Sequence, residues 1–168
     1  MVGRQVEEAP DTAPLVLGEF LPYRISVLAE DVSRLFAARY EAEFGLSNGE
    51  WRVLAVLGEV SPRSTQQVIE KTGMDRVRVS RAVIRLVDKG FVSRVRHPED
   101  ARAQLLRPTA RGRTVYRRIV PLARELQAAL MGALTAEEQS RLDEMLAKLA
   151  ARAAALASPA LDATGDVT

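Results

Sequence analysis

The 168-residue sequence predicts a mostly α-helical chain interrupted by one small β-hairpin. Three observations carry that expectation. Ala, Leu and Arg are the commonest residues, Glu is frequent, and aromatic residues make up only 5%, a composition that favours helices over sheets. Apolar side chains recur at three- and four-residue spacing through several long stretches. The one clear alternation, Phe91-Val92-Ser93-Arg94-Val95, is short, and Gln104-Leu105-Leu106-Arg107 follows it across a polar turn as a candidate partner strand. With 47% apolar residues the length supports one cored domain plus helical extensions.

Residues 1–14 are acidic, contain two prolines and lack an apolar period, which predicts a flexible arm. A long amphipathic helix is expected from Leu15 to Phe44, stopped by Gly45. Ser47-Asn48-Gly49-Glu50 is a capping box for a second helix carrying Trp51, Leu54 and Leu57. After Ser61-Pro62, Ser64 or Thr65 starts a short third helix through Glu70, and Thr72-Gly73 ends it. A fourth helix is expected from Arg76 to Lys89, with Gly90 after it. The hairpin follows, its tip formed by Arg96-His97-Pro98-Glu99-Asp100-Ala101-Arg102. Thr109 caps a fifth helix with Leu122, Leu126, Leu130 and Leu134 as its stripe, and Pro121 predicts a kink near Arg117 to Pro121. Thr135-Ala136-Glu137-Glu138 is a second capping box, opening a last helix that ends in the Ala-rich run 150–157. Residues 158–168 read as a flexible tail.

Composition closes several routes to function. Without cysteine there is no disulfide, thiolate nucleophile or cysteine-based redox sensor, and the single His97 cannot build a metal cluster. Nucleophile–base pairs and phosphate-cradling Gly-rich loops are missing too, so the sequence reads as a non-enzyme that needs no cofactor, with no catalytic or metal site. No signal peptide and no long apolar run are present, and the expectation is a cytoplasmic protein with no membrane partner. The net charge of +2 hides a strong asymmetry. Residues 76–118 carry thirteen Arg or Lys against three acids, whereas residues 1–50 carry four basic side chains against nine acidic ones. A basic block between acidic flanks is the footprint of a polyanion-binding element, although a charge run is often only a solvated helix face.

Three short helices, a tight Gly-containing turn before the third, a basic third helix and a basic hairpin outline a winged helix-turn-helix at residues 47–108. On the fourth helix Val79, Ala82, Val83 and Leu86 face a core, while Arg78, Arg81 and Arg85 occupy the other side and Arg76 and Ser80 also lie outside the apolar stripe. Such a helix fits a major groove, with arginines on guanine edges or phosphates. Ser64, Thr65 and Asp75 sit where helix N-termini would meet phosphates. In the wing, Arg94, Arg96 and Arg102 flank the tip. Arg102 is expected in the neighbouring minor groove, oriented by Asp100, unless Asp100 only caps the turn and Arg102 is solvated.

These segments resemble the MarR-type regulators. The match rests on Leu46-Ser47-x-x-Glu50-Trp51-x-Val53-Leu54, on Val79-Ser80-Arg81-x-Val83-x-Arg85-Leu86-x-x-Lys89-Gly90-Phe91, on Asp100-x-Arg102, and on Leu105-x-x-Pro108-Thr109-x-x-Gly112. It spans roughly residues 20–150. The resemblance implies a homodimer joined through residues 15–46 and 109–157, binding a palindromic double-stranded DNA operator, with a small aromatic effector that releases it. Candidate effector contacts are Tyr23, Arg24, Val27, Leu28, Trp51 and Tyr116; alternatively Trp51 is a plain core anchor and Arg24 an internal ion pair. Pro22-Tyr23-Arg24-Ile25 and Trp51-Arg52-Val53-Leu54 look like segments of regulators that sense hydroxycinnamoyl-CoA thioesters, so the effector is expected to be an aromatic acid or its CoA thioester. The alternative is a ligand-independent or architectural DNA-binding protein of the same fold. The missing cysteines and the acidic arm depart from the family pattern.

Overall fold

The computed structural model describes residues 14–96 and 104–157. Its elements run α1 (Leu21–Phe44), α2 (Asn48–Glu59), β1 (Arg63–Ser64), α3 (Thr65–Thr72), α4 (Arg76–Asp88), β2 (Val92–Arg96), β3 (Gln104–Pro108), α5 (Ala110–Met131) and α6 (Ala136–Ala157). This is a mostly helical winged helix-turn-helix, as expected. The chain divides into two compact units within α5, after Ile119.

In the first unit, α1 begins at Leu21 and not at Leu15. Leu17–Glu19 form a turn instead, closed by the Glu19 and Phe20 amides on the Val16 carbonyl. The reason is Pro22: it lacks an N–H and has a fixed φ, so it belongs in the first turn, where no helical bond is lost. Gly45, at φ 63°, ends the helix in the left-handed region that favours glycine.

The core of this unit lies where α2, α3 and α4 meet the small sheet. Leu46, Val53, Leu54, Leu57, Val68, Val79, Leu86 and Leu106 are essentially inaccessible to water. α3 runs past Glu70 to Thr72, and of its two candidate caps Ser64 is the one used: the Ser64 hydroxyl accepts from the Gln67 amide while Gln67 Oε1 accepts from the Ser64 amide. A third strand is also present. β1 pairs antiparallel with β3, giving the order β1-β3-β2, with Arg63 opposite Leu106 and Ser64 opposite Leu105. In the wing proper Val92 faces Pro108 and Arg96 faces Gln104.

The start of α5 docks on the end of α4 through backbone contact. Thr109 caps the helix by accepting from the Gly112 amide, and its own hydroxyl and amide donate to the Gly90 and Phe91 carbonyls at 2.7 and 3.0 Å. A Cβ at Gly112 would stand 1.9 Å from the Phe91 oxygen, so only glycine permits this approach.

The second unit begins at Val120 and holds the rest of α5 and α6. α5 stays helical on both sides of Pro121 and ends at Met131. Leu134 therefore falls in the connecting turn and not on the α5 stripe. The Thr135 capping box is present: the Thr135 amide reaches Glu138 Oε2 at 2.8 Å and the Glu138 amide reaches Thr135 Oγ1 at 3.3 Å. No residue of α6 is buried. No helix among the described residues is long and apolar enough to cross a membrane.

Candidate nucleic-acid interface

α4 owes its position to both of its ends. At the start, Gly73 (φ 64°) turns the chain, and the Asp75 carboxylate accepts from the Arg78 amide at 2.8 Å. Asp75 Oδ2 also lies 3.9 Å from Arg78 Nε. Asp75 is thus engaged in holding the helix start. Ser64 is engaged likewise at α3, with Thr65 half-buried in the first turn beside it. Arg76 reaches back to Gln66 of α3 at 3.4 Å.

At the other end, Lys89 Nζ donates to the Gly45 carbonyl at 2.7 Å and to Glu50 Oε1 at 2.6 Å. Glu50 is 2% exposed, and its second oxygen accepts from the Ser47 amide. Burial alone would raise its pKa, but the Lys89 ammonium and the two Ser47 bonds outweigh burial and hold it below the ordinary carboxylate range. One buried carboxylate therefore caps α2 and pins the end of α4 to it.

So held, α4 buries Val79, Ala82, Val83 and Leu86 and exposes Arg76, Val77, Arg78, Ser80, Arg81, Ile84 and Arg85. The expected division into two faces is observed. Arg78, Arg81 and Arg85 border a cleft of about 660 Å³ that also takes Arg52 from α2 and Arg34 from α1. Arg34 pairs with Asp31. Among the described residues Arg52, Arg81 and Arg85 have no ion-pair partner, so uncompensated positive charge collects at this edge of the helix. Arg52 and Arg34 had no place in the sequence reading of the basic surface. Their helices are remote in sequence from α4, and no local pattern announces that they reach it.

In the wing Arg94 and Arg96 alternate outward on β2, with Arg94 Nη1 3.5 Å from Gln104 Oε1. Arg107 is exposed on β3 opposite Ser93, a further basic side chain but on the other face of the hairpin from Arg94 and Arg96. Arg102 and Asp100, like His97, lie outside the described residues.

The six proposed effector contacts are not gathered into one pocket. Trp51 and Tyr116 stack at 6.2 Å within a row that continues through Tyr40 to Phe36. Gly58 makes room for this, since a Cβ there would stand 2.6 Å from the Tyr116 ring. The Tyr40 hydroxyl is buried without a partner among the described residues, and burial pushes its pKa up. Trp51 lines a small cleft with Val32, Phe36 and Arg52, whereas Tyr116 lines a different one with Leu57, Arg113 and Arg117. Tyr23, Arg24, Val27 and Leu28 are exposed on the first turns of α1 and line none of these clefts. Arg24 has no ion-pair partner among the described residues.

Comparison with known proteins agrees with this architecture. Residues 44–103 match the model of the MarR family. The HTH-type transcriptional regulator YdgJ of Bacillus subtilis is 28% identical over 136 residues, covering 80% of this chain and 83% of its own. Among solved structures, a MarR/EmrR family transcriptional regulator from Acinetobacter sp. ADP1 superposes with a TM-score of 0.76 at 27% identity, over 83% of this chain and 98% of that one. BpsR of Bordetella bronchiseptica, whose DNA binding is regulated by 6-hydroxynicotinic acid, shares the fold at a TM-score of 0.75 and 21% identity, over 82% of this chain and 98% of its own.

Proposed function

The chain belongs to the MarR family of transcription regulators, and from that premise we propose that it is a cytoplasmic repressor whose two identical subunits hold a palindromic operator until a small aromatic effector releases it. The observation that carries the DNA-binding part is the arginine edge of α4. Arg78, Arg81 and Arg85 stand together and exposed on a helix whose opposite side is locked into the core. Phosphate oxygens supply the charge this edge lacks, and base edges lie within reach of a helix in the major groove. Arg94, Arg96 and Arg102 extend the contact from the wing, while Ser64 and Asp75 set the helix starts and Thr65 stands in the first turn of α3.

A two-fold partner is supported by what α1 and α6 leave uncovered. Leu21, Tyr23 and Leu28 on α1, and Met145, Leu146, Leu149 and Leu156 on α6, are all exposed. Apolar stripes of this length are unfavourable in water and typical of a seam between subunits. We therefore assign residues 15–46 and 109–157 to dimerisation and 47–108 to DNA.

For the effector, the cleft beside α4 offers Arg52, Arg78 and Arg85 to a carboxylate and Met74, Ala29 and Ala82 to a ring. An aromatic acid, or a CoA thioester with its phosphates, meets that chemistry, and BpsR provides a precedent for an aromatic acid. Occupying it would engage arginines that otherwise serve DNA. Tyr23, Arg24, Val27 and Leu28 join such a site only when a second copy closes over them, while Trp51 and Tyr116 would take part from the separate clefts they line.

The test is a duplex-binding titration using the DNA upstream of the chain's own gene, repeated with a panel of aromatic acids and their CoA thioesters. Saturable, salt-sensitive binding by a dimer that one class of acid weakens is the expected result. Binding that no acid or thioester affects would favour the ligand-independent reading, and no binding at all would sink the repressor.

A further inference from the structure

Two side chains on α4 do not fit an interface made of charge alone. Val77 is 57% exposed and Ile84 48% exposed, although both are β-branched aliphatics on a helix otherwise outwardly polar. They are seven residues apart, which at ~100° per residue places them on one line and at ~1.5 Å per residue about 10.5 Å apart. Along the helix axis Arg81 and Ser80 fall between them, each about 50° to one side of that line, and Arg78 and Arg85 lie farther round on the Arg81 side. The line runs opposite the buried Val79, Val83 and Leu86.

Whatever covers this ridge must accept two aliphatic side chains and a guanidinium between them. An apolar protein surface would strand Arg81 without a counter-charge, at the cost of burying an unpaired ion. A purely anionic surface would leave Val77 and Ile84 against charge. The major groove of duplex DNA offers both chemistries at the required spacing: phosphates along its rims, acceptor-rich base edges on its floor, and the 5-methyl group of thymine as its apolar feature.

We propose that Val77 and Ile84 are specificity-determining residues that read thymine methyl groups in each operator half-site, on either side of the Arg81 contact. This inference rests on the DNA-binding reading above. Their separation of about 10.5 Å corresponds to about three base-pair steps of ~3.4 Å, so the two thymines lie about three steps apart.

The experiment selects the preferred duplex from a randomised library with the full-length protein, then replaces each half-site thymine singly by deoxyuridine, which lacks only the methyl. Loss of one buried methyl corresponds to about a 3- to 5-fold weakening. Two thymines about three steps apart are expected to show it. Val77→Ala and Ile84→Ala are each expected to weaken binding to the thymine duplex by a similar factor, and to cost nothing more on the deoxyuridine duplex that lacks their own methyl. Such non-additivity marks a direct contact, which a general effect on the helix would not produce. Each residue stands on its own cycle: full additivity with every deoxyuridine position overturns its assignment, as does binding undiminished by any methyl removal. A library that yields no preferred sequence overturns the DNA-binding reading itself, and this inference with it.

Discussion

The winged unit and the terminal helices treat their side chains in opposite ways. Around α2, α4 and the sheet, the large apolar residues are inside, and the one buried carboxylate, Glu50, has partners for both oxygens. Along the first turns of α1 and along α6 the stripes that local pattern marks as apolar lie largely open to water, and α6 buries nothing. The first region is complete within one chain. The second leaves most of its apolar side chains uncovered within one chain. Substitutions should separate the two: in the winged unit they should act on folding regardless of protein concentration, and in the terminal helices through association.

The largest effect is expected at Gly112. Placing a Cβ there brings it 1.9 Å from the Phe91 carbonyl oxygen, a backbone atom that cannot step aside as a flexible side chain would. Either α5 lifts from the Gly90–Phe91 turn, breaking the Thr109 bonds, or the wing shifts. Gly112→Ala should cost about 4 kcal/mol, at the upper end for point substitutions, read by urea denaturation. A loss below about 1 kcal/mol would mean that the docking of α5 on the wing is loose.

Next comes the pin between α2 and α4. Removing one partner of a buried pair typically costs 3–5 kcal/mol. Lys89 remains 36% exposed, which lets water screen it. Glu50→Ala should therefore cost about 3 kcal/mol near neutral pH. The pKa direction sets the pH dependence. A carboxylate held lower in the folded state than unfolded contributes fully above the unfolded value of about 4.3 and loses its contribution as pH falls through the lower folded value. The stabilities of wild type and Glu50→Gln should accordingly converge in acid; a gap that stays constant from pH 7 to pH 3 would show that the charge plays no part.

These two sites also show what was legible in the sequence. The capping boxes at Ser47 and Thr135 could be read because their partners lie three residues away. That Glu50 also meets Lys89, 39 positions on, could not be, because it depends on how two helices cross. Gly112 stood in the motif without a reason until Phe91 was brought against it. β1, two residues long, carries too little pattern to announce a strand and exists only because β3 passes beside it. Apolar spacing alone carries the expected α1 back to Leu15, whereas the positional preference of Pro22 for a first turn starts it at Leu21. For the site, the basic face of α4 was readable from the helical period, while Arg34 and Arg52 were hidden in elements whose approach is tertiary.

On the terminal side, Leu146 and Leu149 are about half exposed and three residues apart, hence on one face of α6. Leu146→Asp with Leu149→Asp should leave the winged unit folded but weaken dimerisation at least tenfold, about 1.4 kcal/mol. Sedimentation equilibrium reads this directly. An unchanged dimer would move the subunit seam to another surface.

The smallest effect on stability is expected at Arg81, and there the outward side of the winged unit is tested. Its guanidinium is exposed and has no ion-pair partner among the described residues. Arg81→Ala should therefore leave unfolding within about 0.5 kcal/mol of wild type, as for most surface changes, and leave the dimer intact. Its effect belongs to DNA. If Arg81 contacts a phosphate, the slope of log affinity against log salt should fall in magnitude by about 0.9, one phosphate's share of released counterions. If it reads a guanine edge instead, affinity for the preferred site should drop by about 1–3 kcal/mol, with discrimination lost at a single position. Arg94→Ala and Arg102→Ala, measured alongside, should show only the first behaviour. A wild-type slope and wild-type specificity in Arg81→Ala would mean that this helix presents its charge to something other than a duplex.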